Sequence, residues 1–250
     1  MRLQLRYFLA PKQGCAPDEC EDALGLNLDA HSFAVTDGAT EAFAAGQWAQ
    51  HLAHKWALSE VRPLEAFDFR AWVAAQGDIW HETWQERKLP WYAEAKARDG
   101  SFATFVGLKL DLQPSPCWRV LALGDSCFFH RHNGKLLKAL PVSDAAQFTN
   151  APRLVPSRPA QHEAAFAEVV TATGLLQTGD EFWLASDAMS AWLLRAWAAS
   201  DPLAEELGIY LRGHKTEELN ALVAHQRQSG KLHNDDIALV CITVLETART

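Results

Sequence analysis

The sequence predicts an α+β fold in which mainly antiparallel sheets carry helices on their outer faces, and three observations support that reading. Strand-like apolar runs return mostly as turn-linked pairs and seldom as strand–helix–strand crossovers, the pattern of antiparallel sheets. Two long stretches with apolar residues at helical spacing separate the first strands from the next group. Five strand-like segments abut a carboxylate: EDALGLN from Glu21, SFAVTDG ending at Gly38, RVLALGDS ending at Ser126, EFWLASDA ending at Ala188 and NDDIALVCITV from Asn234. One acid at a strand edge is ordinary, because Asp favours turns. Acids recurring at Asp22, Asp37, Asp125, Asp187 and Asp235 suggest a shared pocket, since strands lying side by side bring their ends together.

An opening strand, Leu3 to Leu9, leads through a polar turn to Glu21 and Asp22, and a strand over Ser32 to Val35 delivers Asp37. A helix over Ala42 to Leu58 places Ala45, Trp48, Leu52 and Trp56 on one face. A second, from roughly Glu65 to Glu86, aligns Phe69, Trp72, Val73, Trp80 and Trp84. Both stripes suit packing on a sheet. Strand patterns return over Phe102 to Leu112, Cys117 to Leu123, Cys127 to His132 and Lys135 to Leu140, the last pair joined by the hairpin signal Asn133-Gly134. Residues 142–160 turn polar and carry Pro152, Pro156 and Pro159, the composition of an exposed loop or flap. Val169 to Leu176 and Glu181 to Ala185 read as another hairpin about Gly179-Asp180. Helices over Ala188 to Ala198, Pro202 to Leu211 and Thr216 to Gln228 precede a closing strand, Ile237 to Leu245.

With 250 residues, 48% of them hydrophobic and 22% charged, the chain can bury a substantial core, and no Gly/Ser- or Pro-rich linker divides it. One domain over residues 1–250 is expected. The first residues lack a signal-peptide core, and no run approaches the length of a membrane span, so a soluble cytoplasmic protein is expected. Five cysteines without a C-x-x-C pair fit a reducing compartment better than a disulfide scaffold. A formal net charge of −8 argues against nonspecific nucleic-acid binding. An acidic pocket would also repel a phosphate unless cations were bound there.

Carboxylate oxygens are hard ligands suited to Mg2+ or Mn2+, whereas a zinc site would recruit His or Cys. Two such cations can share one carboxylate, lower the pKa of a bridging water and neutralise a phosphoryl group during in-line attack. Phosphoester hydrolysis is therefore the chemistry this donor set suits.

The order of the motifs resembles that of the metal-dependent type-2C protein serine/threonine phosphatases, the PPM family, in a compact bacterial-like form. Glu21-Asp22 is similar to the family's N-terminal E-D, Thr36-Asp37-Gly38 to its D-G and Gly124-Asp125-Ser126 to its G-D-S. Gly100 to Thr104 is similar to a G-x-x-A-T strand entry, Ser186-Asp187-Ala188 to S-D-G, and Asp235-Asp236-Ile237 to the terminal D-[ND]-[IV]. The resemblance implies a four-layer α-β-β-α sandwich with cations at one edge between the sheets. It implies two divalent cations, Mg2+ or Mn2+: Asp37 bridging both, Asp187 and Asp235 on the first, Glu21 and the Gly38 carbonyl on the second. Asp22 would orient these ligands, and Asp125 with Asp187 would hold a weaker third cation. The implied reaction is hydrolysis of phosphoserine or phosphothreonine in a protein by a metal-bridging water, with a kinase or its target among the partners.

Departures from the family pattern are specific. Pro17 stands where an Arg usually grips the substrate phosphate, leaving Lys12 as the nearest cation. Ala39 follows D-G where some members have a His, Ala188 replaces the Gly of S-D-G, and Ala191 replaces an acid of the third site. Cys127 replaces a common Arg and reads as structural. His233 reads as a loop residue, His81 with Trp72, Trp80 and Trp84 as helix packing, and His130 and His132 as solvent-facing. Two other readings stay open: a pseudophosphatase that binds a partner without turnover, and hydrolysis of a small phosphorylated metabolite.

Overall fold

The computed structural model describes residues 1–59, 68–85, 87–149 and 151–246. Its strands are β1 (Arg2–Ala10), β2 (Asp22–Asn27), β3 (Ser32–Asp37), β4 (Phe102–Ala103), β5 (Phe105–Asp111), β6 (Cys117–Leu123), β7 (Cys127–His132), β8 (Lys135–Leu140), β9 (Val155–Pro156), β10 (Val170–Leu175), β11 (Asp180–Ala185) and β12 (Ile237–Leu245). The helices are α1 (Ala45–Leu58), α2 (Phe69–Gln85), α3 (Trp91–Asp99), α4 (His162–Phe166), α5 (Asp187–Ala198), α6 (Pro202–Arg212) and α7 (Thr216–Gln228).

Two five-stranded sheets, ordered β1-β12-β11-β7-β8 and β10-β6-β5-β3-β2, form the centre, and the strand pairs are antiparallel. Alternation along each strand decides which layer a side chain joins. In β12, Ala238, Val240, Ile242 and Val244 meet Phe33, Val35, Val106 and Leu108 of the other sheet. The intervening Ile237, Leu239 and Cys241 pack under α5, α6 and α7 with Trp192, Leu207 and Leu222. Both faces of β12 are buried, which is why its sequence is an unbroken apolar run rather than an alternating one. On the opposite side of the molecule, Ala34, Phe105, Leu121 and Leu123 pack beneath Trp48, Leu52 and Trp56 of α1 and Phe69, Val73 and Trp80 of α2. The expected α-β-β-α sandwich is therefore present. A buried Lys109 closes α1, donating from Nζ to the carbonyls of Trp56 and Ser59 at 3.2 and 2.6 Å, where the helix dipole favours a cation.

Several expectations need correction. Val170–Leu175 and Asp180–Ala185 are not a hairpin: β10 pairs with β6 in one sheet and β11 with β7 and β12 in the other. The turn hands the chain between sheets, with Leu176 N–H donating to Pro116 and Gly179 N–H to Val244. Helix α1 begins at Ala45 rather than Ala42, because Ala44 sits in the left-handed region at φ 45°. Of the second predicted helix, residues 65–67 and Glu86 lie outside the described residues. The predicted flap contains a strand, β9, paired with β4; its Asn150 lies outside the described residues. Helices α3 and α4 were not expected. His130 and His132 do not simply face solvent, since both bind Asp180 Oδ1, at 2.9 and 2.8 Å.

Candidate active site

The acids share one end of both sheets. Leu24 and Leu26 of β2 and Phe33 and Val35 of β3 face the inter-sheet layer, so by alternation Asp22 and Asp37 face it too, at its rim. The two are register partners across the β2–β3 ladder. In the other sheet, Ala185 pairs with both Leu239 and Cys127, which brings the end of β11 and the starts of β12 and β7 to the same rim. Gly124, at φ +104°, turns the chain from β6 in one sheet to β7 in the other. That turn carries Asp125, and a Cβ on Gly124 would lie 2.8 Å from Thr104 Cβ and 2.9 Å from the Arg153 carbonyl. Gly38 is needed for a different reason, a close approach: a Cβ there would lie 2.5 Å from the Ala45 backbone.

A cavity of about 560 Å3 opens at this rim, lined by Asp37, Gly38, Asp125, Asp187 and Asp235. The segment after Asp37 is pinned in place, with Thr104 N–H donating to the Asp37 carbonyl at 2.8 Å and Ala39 N–H to Phe102 at 3.0 Å. Asp187 opens α5, where an anion is favoured by the helix dipole, and its Oδ1 accepts from Ala188 N–H. Asp22 is buried, and the nearby Ser186 hydroxyl favours its carboxylate form; that hydroxyl oxygen accepts from Ala238 N–H at 3.0 Å. Glu21 does not line the same cavity; it lines a neighbouring groove with Asp22 and Pro17. Its backbone still adjoins the site, since Gly38 N–H donates to the Glu21 carbonyl at 3.1 Å. Among the described residues, no group of three or more His, Cys, Asp or Glu side chains forms a ready-made metal cage.

The electrostatics are those of crowded acids with cations at the margin, Arg195 on the cavity wall and Lys12 near Asp236, Glu21 and Asp235. Burial, then the charges of Asp22, Asp187, Asp125 and Asp235, push the Asp37 carboxyl well above the usual range. Burial also raises Asp22 strongly, against the Ser186 hydroxyl and with the help of Asp187 and Asp236. Asp125 is pushed up to about 7 by burial and by Asp187, and Asp187 is raised by burial and by Asp235. Asp22 Oδ2 and Asp125 Oδ1 are buried without a hydrogen-bond partner. Such oxygens are costly unless protonated or bound to a cation. The pocket's ligands are thus carboxylates with a backbone carbonyl available at Gly38, a hard-oxygen set that fits Mg2+ or Mn2+.

The departures are visible in place. Ala39, Ala188 and Ala191 all line the cavity, so no imidazole or further carboxylate stands at those positions. Lys12 does not line it. Slight burial lowers the Lys12 pKa, but Asp236, Glu21 and Asp235 outweigh this and raise it, so its charge lies beside the acids.

Sequence reasoning missed three contributors. Asp236, 4% exposed, accepts from Lys12 N–H at 2.7 Å and Glu21 N–H at 2.8 Å, fastening the β1–β2 connection to the start of β12. Its only signal was the doubled acid before a strand. Ser186, which accepts from the N–H of Ala238 on β12 and favours the charged form of Asp22, carried no signal beyond its place in S-D-A. Arg195 lines the cavity eight residues after Asp187; the helical stripe of Asp187, Ala191 and Arg195 could have indicated it.

No family model and no curated protein matches the sequence. Solved structures do match in fold. The photosystem II phosphatase PBCP superposes with a TM-score of 0.61 at 15% identity, covering 97% of this chain and 98% of that one. The catalytic domain of the serine/threonine phosphatase PstP, in complex with 2 manganese ions, gives 0.57 at 18%, covering 98% and 100%. The PPM phosphatase MsPP from Mycobacterium smegmatis, in complex with cacodylate, gives 0.53 at 16%, covering 96% and 98%. At these identities the likeness is one of fold.

Proposed function

We propose that this chain, which has the fold of the PPM serine/threonine phosphatases, is a metal-dependent phosphoprotein phosphatase hydrolysing phosphoserine or phosphothreonine. Residues 1–250 would form its one domain, and it would act in the cytoplasm on a phosphorylated protein, with a kinase or that kinase's target as partner. The observation that supports this reading is the gathering of Asp37, Asp125, Asp187 and Asp235 from separate strand ends around one cavity, with a buried carboxylate oxygen of Asp125 left unpaired.

In this reading Asp37, Asp187 and Asp235 hold Mg2+ or Mn2+, with the Gly38 carbonyl and Glu21 beside a second ion. Asp125 with Asp187 serves a weaker third. Such cations, when bound, neutralise phosphoryl oxygens and acidify water. The remaining work falls to the chain itself. Asp22, with the Ser186 hydroxyl beside it, stands at the rim of β2 opposite Asp37, where it would orient the ligands. Asp236 fixes the Glu21 backbone. Ala39 offers no proton to the leaving oxygen, so solvent supplies it. Lys12 supplies a positive charge at the acid rim as the candidate for drawing in the substrate phosphate.

Purified protein supplied with Mn2+ should release phosphate from a phosphoserine peptide and stop on addition of chelator. Asp37→Asn or Asp187→Asn should lower kcat/KM by about 100-fold or more, at least the loss seen when outer partners of a metal site are removed. Folded, metal-replete protein inactive on every phosphoester would sink the proposal. Peptide binding without turnover would mark a binding module instead.

A further inference from the structure

The acid cavity continues beyond its acids. On α5, Asp187, Ala191 and Arg195 follow one another at intervals of four residues and so share one face, and all three line the cavity. Arg195 and His233 also line a second cavity of about 640 Å3, together with Lys231, Trp192 and Asp201. The two cavities adjoin at Arg195 and His233. There Arg195 Nη2 donates to the Lys231 carbonyl at 3.0 Å, which fixes the guanidinium at the junction, and among the described residues it has no ion-pair partner. Asp201, on the second cavity, is turned to the start of α6, its Oδ1 accepting from Leu203 N–H at 3.0 Å as the helix cap, and stands as the one acid among that cavity's lining residues. In a chain of net charge −8, the junction thus sets Arg195 and Lys231 beside a pocket of acids, while the His233 ring is turned to Asp235, 3.7 Å from its Oδ2.

We propose that this junction is a subsite for an acidic side chain of the substrate, carried on a phosphopeptide whose phosphoryl group occupies the acid cavity. The placement of the phosphoryl group rests on the phosphatase reading; the basic junction does not. Arg suits this task because its planar fork grips a carboxylate through paired hydrogen bonds. The helix also sets the spacing. At about 1.5 Å per residue, Arg195 lies ~12 Å along α5 from Asp187. An extended peptide advances about 3.3 Å per residue, so the span is three to four residues, shortened because a helical side chain leans toward the N-terminus. The recognised residue is therefore Asp or Glu two to four positions from the phosphorylated one. Ala191, small and between the two, leaves the path open.

The test uses phosphoserine peptides in which a single Glu is moved from four positions before to four positions after the phosphoserine, each against its Gln counterpart. For Glu two to four positions away on one side, kcat/KM should exceed that of the Gln peptide by about tenfold, mostly through KM, the gain of one charge-assisted contact. Arg195→Ala should erase this ratio, Arg195→Lys should keep part of it, and Arg195→Glu should transfer the preference to a Lys peptide. The same peptides carrying a non-hydrolysable phosphonate, followed by fluorescence anisotropy with Mn2+-loaded protein, read the subsite without turnover. Equal rates and affinities for every Glu and Gln pair would overturn the proposal, as would a preference that survives Arg195→Glu. Glu-dependent binding without turnover of any phosphoester would support the subsite while overturning the phosphatase reading.

Discussion

At Asp22 and Asp37 the ladder sets two carboxylates directly opposite each other, an arrangement that repels when both are charged. Asp22 Oδ2 has no partner, so without a cation the fold holds this residue at a cost. Asp22→Asn keeps the shape and removes the charge. In chelator its Tm should therefore exceed that of the parent by a few degrees, on the scale of about 2–4 °C per kcal/mol for a chain of this size. Its Mn2+ affinity should nevertheless fall by about 10–100-fold. Thermal melts in chelator and a calorimetric Mn2+ titration check both halves, and a lower Tm in chelator would show that repulsion is not what Asp22 endures. Gly38 poses a steric problem instead. Ala at that position would thrust a methyl to 2.5 Å from the Ala45 backbone, displacing Asp37 or the start of α1. Gly38→Ala should cost about 1–3 kcal/mol of stability, the range for overpacking, and, on the proposed function, lower phosphoester turnover with it.

Two devices hold the strands in register at opposite ends of one sheet. At the acid rim, Asp236 receives the N–H groups of Lys12 and Glu21; Asp236→Ala would strand both donors and should destabilise the protein by about 2–4 kcal/mol in urea unfolding. At the far end, Asp180 receives His130 and His132 on Oδ1 and Gln177 N–H on Oδ2. Burial by itself would raise the Asp180 carboxyl, but the hydrogen bonds from His130, Gln177 and His132 outweigh it and hold the pKa below its usual value. A depressed carboxyl stabilises the fold above its unfolded pKa, near ~3.9, and that contribution is lost as the pH falls through the folded value. The gap in unfolding free energy between the parent and Asp180→Asn should thus be present at pH 5 and shrink below about pH 4. A gap unchanged on acidification would mean that the pairing is not ionic. This clamp was not legible in the sequence, where two His alternating on a strand look solvent-facing. Their partner sits on a strand, β11, whose own place could not be read either. Periodicity records which face a residue takes, not which sheet its strand joins, so β10 and β11 looked like a hairpin.

The sandwich as a whole was legible because its constraints recur along the chain: β12 reads as an unbroken apolar run since helices and the facing sheet bury both its sides, and acids recur at the strand ends that meet at one rim. Helix α3 was not, because it has no apolar stripe to read and leaves Trp91 84% exposed. Of the candidate site, the acids were legible from their strand-end contexts. Arg195 was legible only as a helical neighbour of Asp187 at i+8, and that stripe gains meaning once the face is known to meet the cavity. The architecture also couples cation binding to stability. Asp22 and Asp37 belong to one sheet, while Asp187 and Asp235 flank strands of the other, so a cation held among them joins the two sheets and has no equivalent site in the unfolded chain. Such binding stabilises by RT ln(1 + [L]/Kd), about 2.7 kcal/mol at a hundredfold excess over Kd. For a chain of this size that corresponds to a Tm rise of about 5–10 °C with Mn2+, reversed by chelator. Asp37→Asn should lose most of the rise, whereas Asp180→Asn, at the opposite end of β11, should keep it despite a lower starting Tm. If the parent melts at the same temperature with Mn2+ and with chelator, the rim acids act as turn formers rather than as ligands, since a cation joining both sheets must resist their separation.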